Sequence, residues 1–333
     1  FSKKENVLDK ELHHILRERS EISVRYDPQT ESIWVYGNPN TRPCLSLELI
    51  KEFNQLQLEI KDYFVSNDMK PKVSIKYFVC ASQIPGVYNY GGDLNLFSDL
   101  IKSKNKDALY RYAKVCIDVV YLNAVNLELP ITTIALVEGD ALGGGFEAAI
   151  SCNMVIAEEQ AQMGLPEIRF NLIPGMGAYS FLARLVGTKV TEEIIGSGQM
   201  YDATTLHEMG VITQVVKQGE AETAVKKYMK RNIRLFNGMQ ALQEARRRYQ
   251  PISYDELIDI TKIWVNAALQ LSPLDLKMMQ KLVDAQNAKN INVQHKLRTK
   301  QDRRFESEKI MFPFVDKEGK VIEKDRRGKP DPR

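Results

Sequence analysis

The 333-residue sequence has only two tryptophans and four histidines, and no run of about 18 uncharged apolar residues. The missing apolar run excludes a membrane-spanning helix by pattern, so no membrane role is expected. The opening residues, FSKKENVLDKELHHILRER, lack the apolar centre of a secretory signal. The four cysteines, Cys44, Cys80, Cys116 and Cys152, form no CxxC pair and sit near no histidine, which argues against a zinc site. They recur every 36 residues, yet the flanks TRPCLSL, YFVCASQ, AKVCIDV and AISCNMV share nothing else, so the spacing marks no repeat. Three lie in apolar runs as buried thiols do, which suits a reducing, cytoplasmic compartment. Phosphate-cradling motifs are absent too. There is no GxxxxGK[ST], Gly187-Thr188-Lys189 lacks the upstream glycine, and the glycines at 139 and 143–145 do not make GxGxxG.

What is present is an ordinary globular composition, 44% hydrophobic and 27% charged, enough for a sizeable core. Net charge is only +3 but unevenly placed. Residues 289–333 hold 14 Lys/Arg against 8 Asp/Glu, so the rest of the chain is slightly acidic. Such a tail is either a solvated, extended segment or a surface for an acidic protein. Its charges are of mixed sign without regularly spaced aromatics, which argues against nucleic acid.

Residues 1–215 read as an α/β core preceded by an N-terminal helix in ENVLDKELHHILRER. EISVRYDPQTESIWVYGNP reads as two strands about Asp27-Pro28, and residues 45–67 as an amphipathic helix. A strand is expected over 72–82, a glycine-rich loop over 84–94, a helix over 107–129 and a β-branched strand over 131–137. FEAAISC continues as a helix and NMVIAEE as a further strand. The alternation predicts an α/β fold with a largely parallel sheet. From 216 to 300 the pattern is helical, over 220–248, 254–270 and 273–290; residues 301–333 form a charged tail.

The chemistry concentrates in EGDALGGGFEAA, residues 138–149. Consecutive glycines at a helix start leave backbone N–H groups approachable by an anion. An oxyanion hole needs two such donors on one oxygen. Gly144 offers one, and the second glycine loop, Gly91-Gly92-Asp93, offers another. Glu147 stands one turn into the helix, and Glu167 follows in QMGLPEIRF. Two converging carboxylates in unlike surroundings serve as acid and base. The plainer reading has Glu147 favouring a helix N-terminus and Glu167 on the surface. A glycosidase pair is less favoured, because the flanks are apolar and hold no tryptophan platform. His13, His14, His207 and His295 all lie outside this stretch and read as surface or helix residues.

The segment PITTIALVEGDALGGGFEAAISCNMVIAEEQAQMGLPEIRFNLIPGMGAYSFLARLVG resembles the central signature of the crotonase superfamily of enoyl-CoA hydratases and isomerases. The resemblance implies a spiral fold of repeated β-β-α units with a helical C-terminal region. It also implies oxyanion donors at the backbone N–H groups of Gly92 and Gly144, with Glu147 and Glu167 at the acid/base positions of hydratases. Having both glutamates favours hydration or dehydration over simple hydrolysis or isomerisation. No metal or cofactor is implied beyond the acyl thioester of acyl carrier protein or CoA.

The flanks YFVCASQIPGVYNYGGDLNLF, IPGMGAYSFLAR, PISYDELIDITKIWVNAAL and DLKMMQKLVDAQN are similar to one subgroup, the diffusible signal factor synthases, over roughly residues 20–300. That subgroup dehydrates a 3-hydroxyacyl carrier-protein thioester to the cis-2-enoyl thioester and hydrolyses it to a signalling fatty acid. The alternatives are an enoyl-CoA hydratase or isomerase of fatty acid metabolism and a non-enzymatic binding protein. Acyl-pocket candidates are Gly91, Leu142, Phe146, Met163, Leu165 and Met176, each otherwise a core residue. The helix over 107–129 is either a cap on that pocket or scaffold. The resemblance further implies a homotrimer or dimer of trimers built on 254–290, acyl carrier protein as partner, and a sensor kinase.

Overall fold

The structure, a computed structural model, describes residues 10–38, 42–288, 314–315 and 321–322. Apart from residues 314–315 and 321–322, the basic tail lies outside the described residues, as does His295. Residues up to Gln286 form one compact unit. It begins with α1 (Lys10–Ile15), β1 (Ile22–Asp27), β2 (Ser32–Gly37) and α2 (Leu47–Ser66). Next come β3 (Tyr77–Ser82), β4 (Val87–Asn89), α3 (Leu94–Lys102) and α4 (Lys106–Ala124). The centre of the chain holds β5 (Thr132–Val137), β6 (Asp140–Leu142), α5 (Gly144–Ile150), β7 (Met154–Glu158) and β8 (Gln162–Gly164). It continues through α6 (Ala178–Ser197), β9 (Met200–Asp202), α7 (Ala203–Glu208) and β10 (Gln214–Val216). Helices α8 (Ala221–Asn232), α9 (Phe236–Tyr249) and α10 (Tyr254–Ala268) complete it with all but the last two described residues of α11 (273–288). In the second unit, Asn287–Arg333, β11 (Phe314–Val315) pairs antiparallel with β12 (Val321–Ile322).

From β3 to β8, consecutive strands go alternately to two sheets. A six-stranded sheet has the order β1-β2-β3-β5-β7-β10, and a four-stranded sheet the order β4-β6-β8-β9. The pairs β3/β4, β5/β6 and β7/β8 each place one strand in each sheet before a helical segment, which is the repeated β-β-α unit. Only β1–β2 in the larger sheet and β8–β9 in the smaller are antiparallel.

Central strands buried on both faces need apolar side chains at every position. Phe78, Cys80, Ala135, Val137, Val155 and Ala157 face the core under α2, α4 and α5. Their alternate neighbours Tyr77, Val79, Ile134, Leu136, Met154 and Ile156 pack with Trp34 against Ala221, Val225 and Met229 of α8. Thus α8, beyond residue 215, covers the second face of the sheet.

Several expected boundaries move. The strand over 72–82 starts only at Tyr77, where β2 begins to pair with it. Before that, the Val73 N–H is given to the Tyr63 hydroxyl and the Lys76 N–H to the Glu31 carbonyl. The loop over 84–94 contains β4. The helix over 107–129 stops at Ala124, because Asn126, Leu127 and Glu128 all take positive φ, 59°, 55° and 58°. That left-handed turn costs roughly 1–2 kcal/mol per residue, and it buries the Leu127 side chain completely. The helix over 220–248 is broken by a 3₁₀ turn at Ile233–Leu235. No described helix is long and apolar enough to cross a membrane.

Candidate active site

Three parallel strands of the smaller sheet end side by side. Pairing of Val87 with Asp140 and of Asn89 with Ala141 aligns β4 with β6, and pairing of Ala141 with Met163 aligns β6 with β8. Parallel pairing puts their C-terminal ends at one edge, where α/β folds place ligands. β4 delivers Gly91-Gly92, β6 delivers Gly143-Gly144 and α5 with Glu147, and β8 delivers Glu167 on a 3₁₀ turn opened by Pro166.

The three consecutive glycines have three different reasons. Gly143 has φ 50° and ψ −126°, a conformation costly for any side chain. A Cβ there would also stand 2.4 Å from Glu167 Oε1. At Gly144 a Cβ would lie 2.6 Å from Met176 Sδ and 3.4 Å from the Gly92 nitrogen. At Gly145 it would meet the Asn89 carbonyl at 2.2 Å. Of the three, only Gly144 lines the cleft that also takes in Gly92. Among the described residues, neither the Gly92 nor the Gly144 N–H is given to another backbone group. Gly92 and Gly144 line one cleft.

Glu147 is 1% exposed. Its Oε1 accepts the N–H groups of Met176 (2.7 Å) and Ala178 (2.9 Å). Ala178 opens α6, whose N-cap, Gly177, has no side chain to offer, so Glu147 caps that helix from a distance. Burial raises its proton affinity well above the usual carboxylate range, and the two N–H donors partly oppose this. Glu167 reaches the surface in part, but its Oε2 is shielded from solvent and has no hydrogen-bond partner. Burial, and then the charge of Glu147, raise its proton affinity further. Like charges confined together cannot both ionise easily, which favours keeping a proton on the pair.

The cleft takes in about 450 Å³ including its open mouth, and Gly92, Gly144, Glu147 and Glu167 all line it. Its wall is otherwise apolar: Leu94 and Phe97 from α3, Tyr112, Ala113 and Cys116 from α4, Phe170 and Leu172 beyond Glu167, and Trp264 from α10. Gly175 and Met176 complete it. Of the expected pocket residues, only Met176 lines the cleft. Gly91 (φ 87°) packs its backbone against the Leu142 carbonyl and the Gly144 nitrogen, and Leu142 itself is only partly buried. Phe146, Met163 and Leu165 are fully buried in the core. With Glu147 turned to the cleft, its helical neighbour Phe146 is rotated about 100° away, into the interior.

The helix expected over 107–129 does wall the cleft, through α4. Phe97, Phe170 and Trp264 were not anticipated. Trp264 lies over Gly175, where a Cβ would stand 2.7 Å from its ring. Of the four histidines, His13 and His14 are exposed on α1 and His207 on α7.

The enoyl-CoA hydratase/isomerase family model matches residues 38–251. A probable mitochondrial enoyl-CoA hydratase 2 of Arabidopsis thaliana is 33% identical over 183 residues, 55% of this chain and 56% of the relative. The chain spans about half the length of the curated relatives it matches. An enoyl-CoA hydratase/isomerase structure from Xanthobacter autotrophicus Py2 superposes with a TM-score of 0.65 at 20% identity, over 82% of this chain and 99% of that one. Pseudomonas aeruginosa DspI gives 0.60 at 23% identity, over 72% of this chain and 91% of that one. At these identities the structures speak for the fold. By its matched sequence, its β-β-α units and its paired glycines and glutamates, this chain belongs to the enoyl-CoA hydratase/isomerase family of the crotonase superfamily.

Proposed function

We propose that the protein dehydrates a 3-hydroxyacyl thioester carried on acyl carrier protein, and then hydrolyses the thioester to release a cis-2-unsaturated fatty acid signal. The observation that carries this reading is that two glutamates of raised proton affinity and two uncommitted N–H donors line one apolar cleft.

The chemistry follows from those groups. Removal of the α-proton of a thioester leaves an enolate whose charge sits on the carbonyl oxygen. In this reading the Gly92 and Gly144 N–H groups stabilise that oxygen, each such donor contributing about 2.7–4 kcal/mol to a transition state. The ionised member of the glutamate pair takes the α-proton. The protonated member gives its proton to the β-hydroxyl, which departs as water. For hydrolysis, a glutamate activates a water that attacks the same carbonyl. The tetrahedral oxyanion occupies the same hole, the C–S bond breaks and the thiol leaves protonated.

The subgroup reading rests on the flanking resemblance and on the apolar wall from α3, α4 and α10, which suits a hydrocarbon chain. The hydratases among the relatives support the alternative, a hydratase acting on CoA esters. Incubation with a medium-chain 3-hydroxyacyl carrier-protein thioester, read by mass spectrometry and gas chromatography, tests the choice. Free cis-2-enoic acid is the expected product. Enoyl thioester without free acid, or turnover of CoA esters alone, favours the hydratase.

A further inference from the structure

The Gly92 donor sits on a segment that no helix or strand holds, since β4 ends at Asn89 and α3 begins at Leu94. Its position is set by ties to the neighbouring stretch around Leu45. The Tyr90 N–H is given to the Pro43 carbonyl, and the Leu45 N–H to the Gly91 carbonyl, both at 2.7 Å. Arg42 pairs with Asp93 at 2.7 Å. Gly92 itself forms a parallel bridge with Leu45.

The remaining tie comes from α4. The Tyr112 hydroxyl, on α4, donates to the Leu45 carbonyl and accepts the Asp93 N–H at 3.3 Å. One oxygen thus joins the bridge partner of Gly92 to the residue that follows Gly92. Tyr112 is only 4% exposed, and its ring meets Phe97 edge-on at 5.1 Å. Phe97 in turn covers Gly92 so closely that a Cβ there would stand 2.6 Å from the ring. Tyr112 therefore fixes the Gly92 peptide twice, by hydrogen bonds and through Phe97. Its hydroxyl is committed to backbone, which distinguishes it from a group that meets substrate.

We propose that Tyr112 is a positioning residue that aims the Gly92 N–H at the thioester oxygen. The inference rests on the acyl-thioester reading above. An oxyanion donor acts only if it is aimed before the charge develops, and a displacement of about 1 Å costs up to roughly 100-fold in rate.

The test compares wild type, Tyr112→Phe and Arg42→Leu on a 3-hydroxyacyl carrier-protein thioester and on an enoyl-CoA. Infrared difference spectra of a bound, ¹³C-carbonyl-labelled saturated acyl thioester are recorded alongside. Tyr112→Phe is expected to lower kcat about 10- to 100-fold with little change in KM. It should also return the bound carbonyl stretch toward its frequency in water. Arg42→Leu, which loosens the same segment from its outer side, should move both quantities the same way by less, and it carries the test if Tyr112→Phe does not fold. A destabilised protein with unchanged kcat and carbonyl frequency would show a structural role only and overturn the inference. An active wild type with an equally active Tyr112→Phe overturns it as well. A wild type that turns over neither thioester overturns the functional reading, and this inference with it.

Discussion

A side-chain carbon on Gly143 would stand 2.4 Å from Oε1 of Glu167. The glycine is thus a condition for the observed position of Glu167, the proposed acid/base partner of Glu147, as well as for the turn. Gly143→Ala is expected to displace the Glu167 carboxylate and to strain the backbone by about 1–3 kcal/mol. Activity should fall at least 100-fold, the lower range for a positioned acid/base group, while circular dichroism retains the native helix content. Near wild-type kcat in this variant would mean that Glu167 does not act from its observed position.

Glu147 has a structural task as well as the chemical one proposed for it, and two substitutions separate them. Glu147→Gln keeps an oxygen for the Met176 and Ala178 N–H groups but loses the ionisable group. Its kcat should drop about 10²- to 10⁴-fold with a small change in denaturant midpoint. Glu147→Ala leaves two buried donors unpaired at the start of α6, which should cost about 1–3 kcal/mol for each unsatisfied group. Equal stability of the two variants in urea would show that the capping contact carries no weight.

The glutamates also set a pH dependence of stability opposite in sign to that of salt-bridged carboxylates. Their proton affinities are raised on folding, Glu147 to about 7 and Glu167 to about 8, from an ordinary 4.5. The folded protein therefore holds protons that the unfolded chain releases, and the stabilisation is complete below about pH 4.5. It is lost progressively as pH rises through the folded values. Glu167→Gln removes a buried charge whose Oε2 has no partner. Its melting temperature should match wild type near pH 5 and exceed it at pH 8.5, by an amount equivalent to about 1 kcal/mol or more. A gap that does not widen with pH contradicts the assignment. Activity should in turn be bell-shaped, since one glutamate must be ionised and the other protonated.

Trp264 links the C-terminal helices to the chemistry. It is 4% exposed, packs edge-on against Phe97 at 5.2 Å and rests on Gly175. Trp264→Ala should cost about 3–5 kcal/mol, as for other buried aromatics. It should also raise KM for acyl thioesters more than it lowers kcat, because the wall binds the chain and not the reacting carbon. Urea titration and steady-state kinetics on one preparation check both effects. Unchanged KM would place Trp264 in the core alone.

Much of this site was legible in the sequence because its parts are local. The glycine run, Glu147 one turn later and Glu167 after a Pro sit within 25 residues, and the strand-to-helix pattern around them follows from side-chain alternation. What could not be read is what depends on contacts between distant segments. Phe146, Met163 and Leu165 are apolar and close in sequence to the glycines, yet they face the core. The cleft is walled instead by α3, α4 and α10, whose helical periodicity shows that a face is buried but not against what. The 84–94 loop concealed a three-residue strand too short to leave an alternation, although that strand sets the level of Gly92. The turn at 126–128 requires positive φ in three residues that are not glycine, so composition gave no sign of it.

The central claim, that the paired glutamates and glycine amides generate an enolate, is tested most directly by exchange of the α-proton. A saturated acyl carrier-protein thioester is incubated in D₂O with wild type, Glu147→Gln and Glu167→Gln, and deuterium at the α-carbon is followed by mass spectrometry. The account predicts exchange in wild type that falls at least 100-fold in the variant lacking the α-proton base. Exchange absent from an otherwise active wild type, or undiminished in both variants, would contradict it.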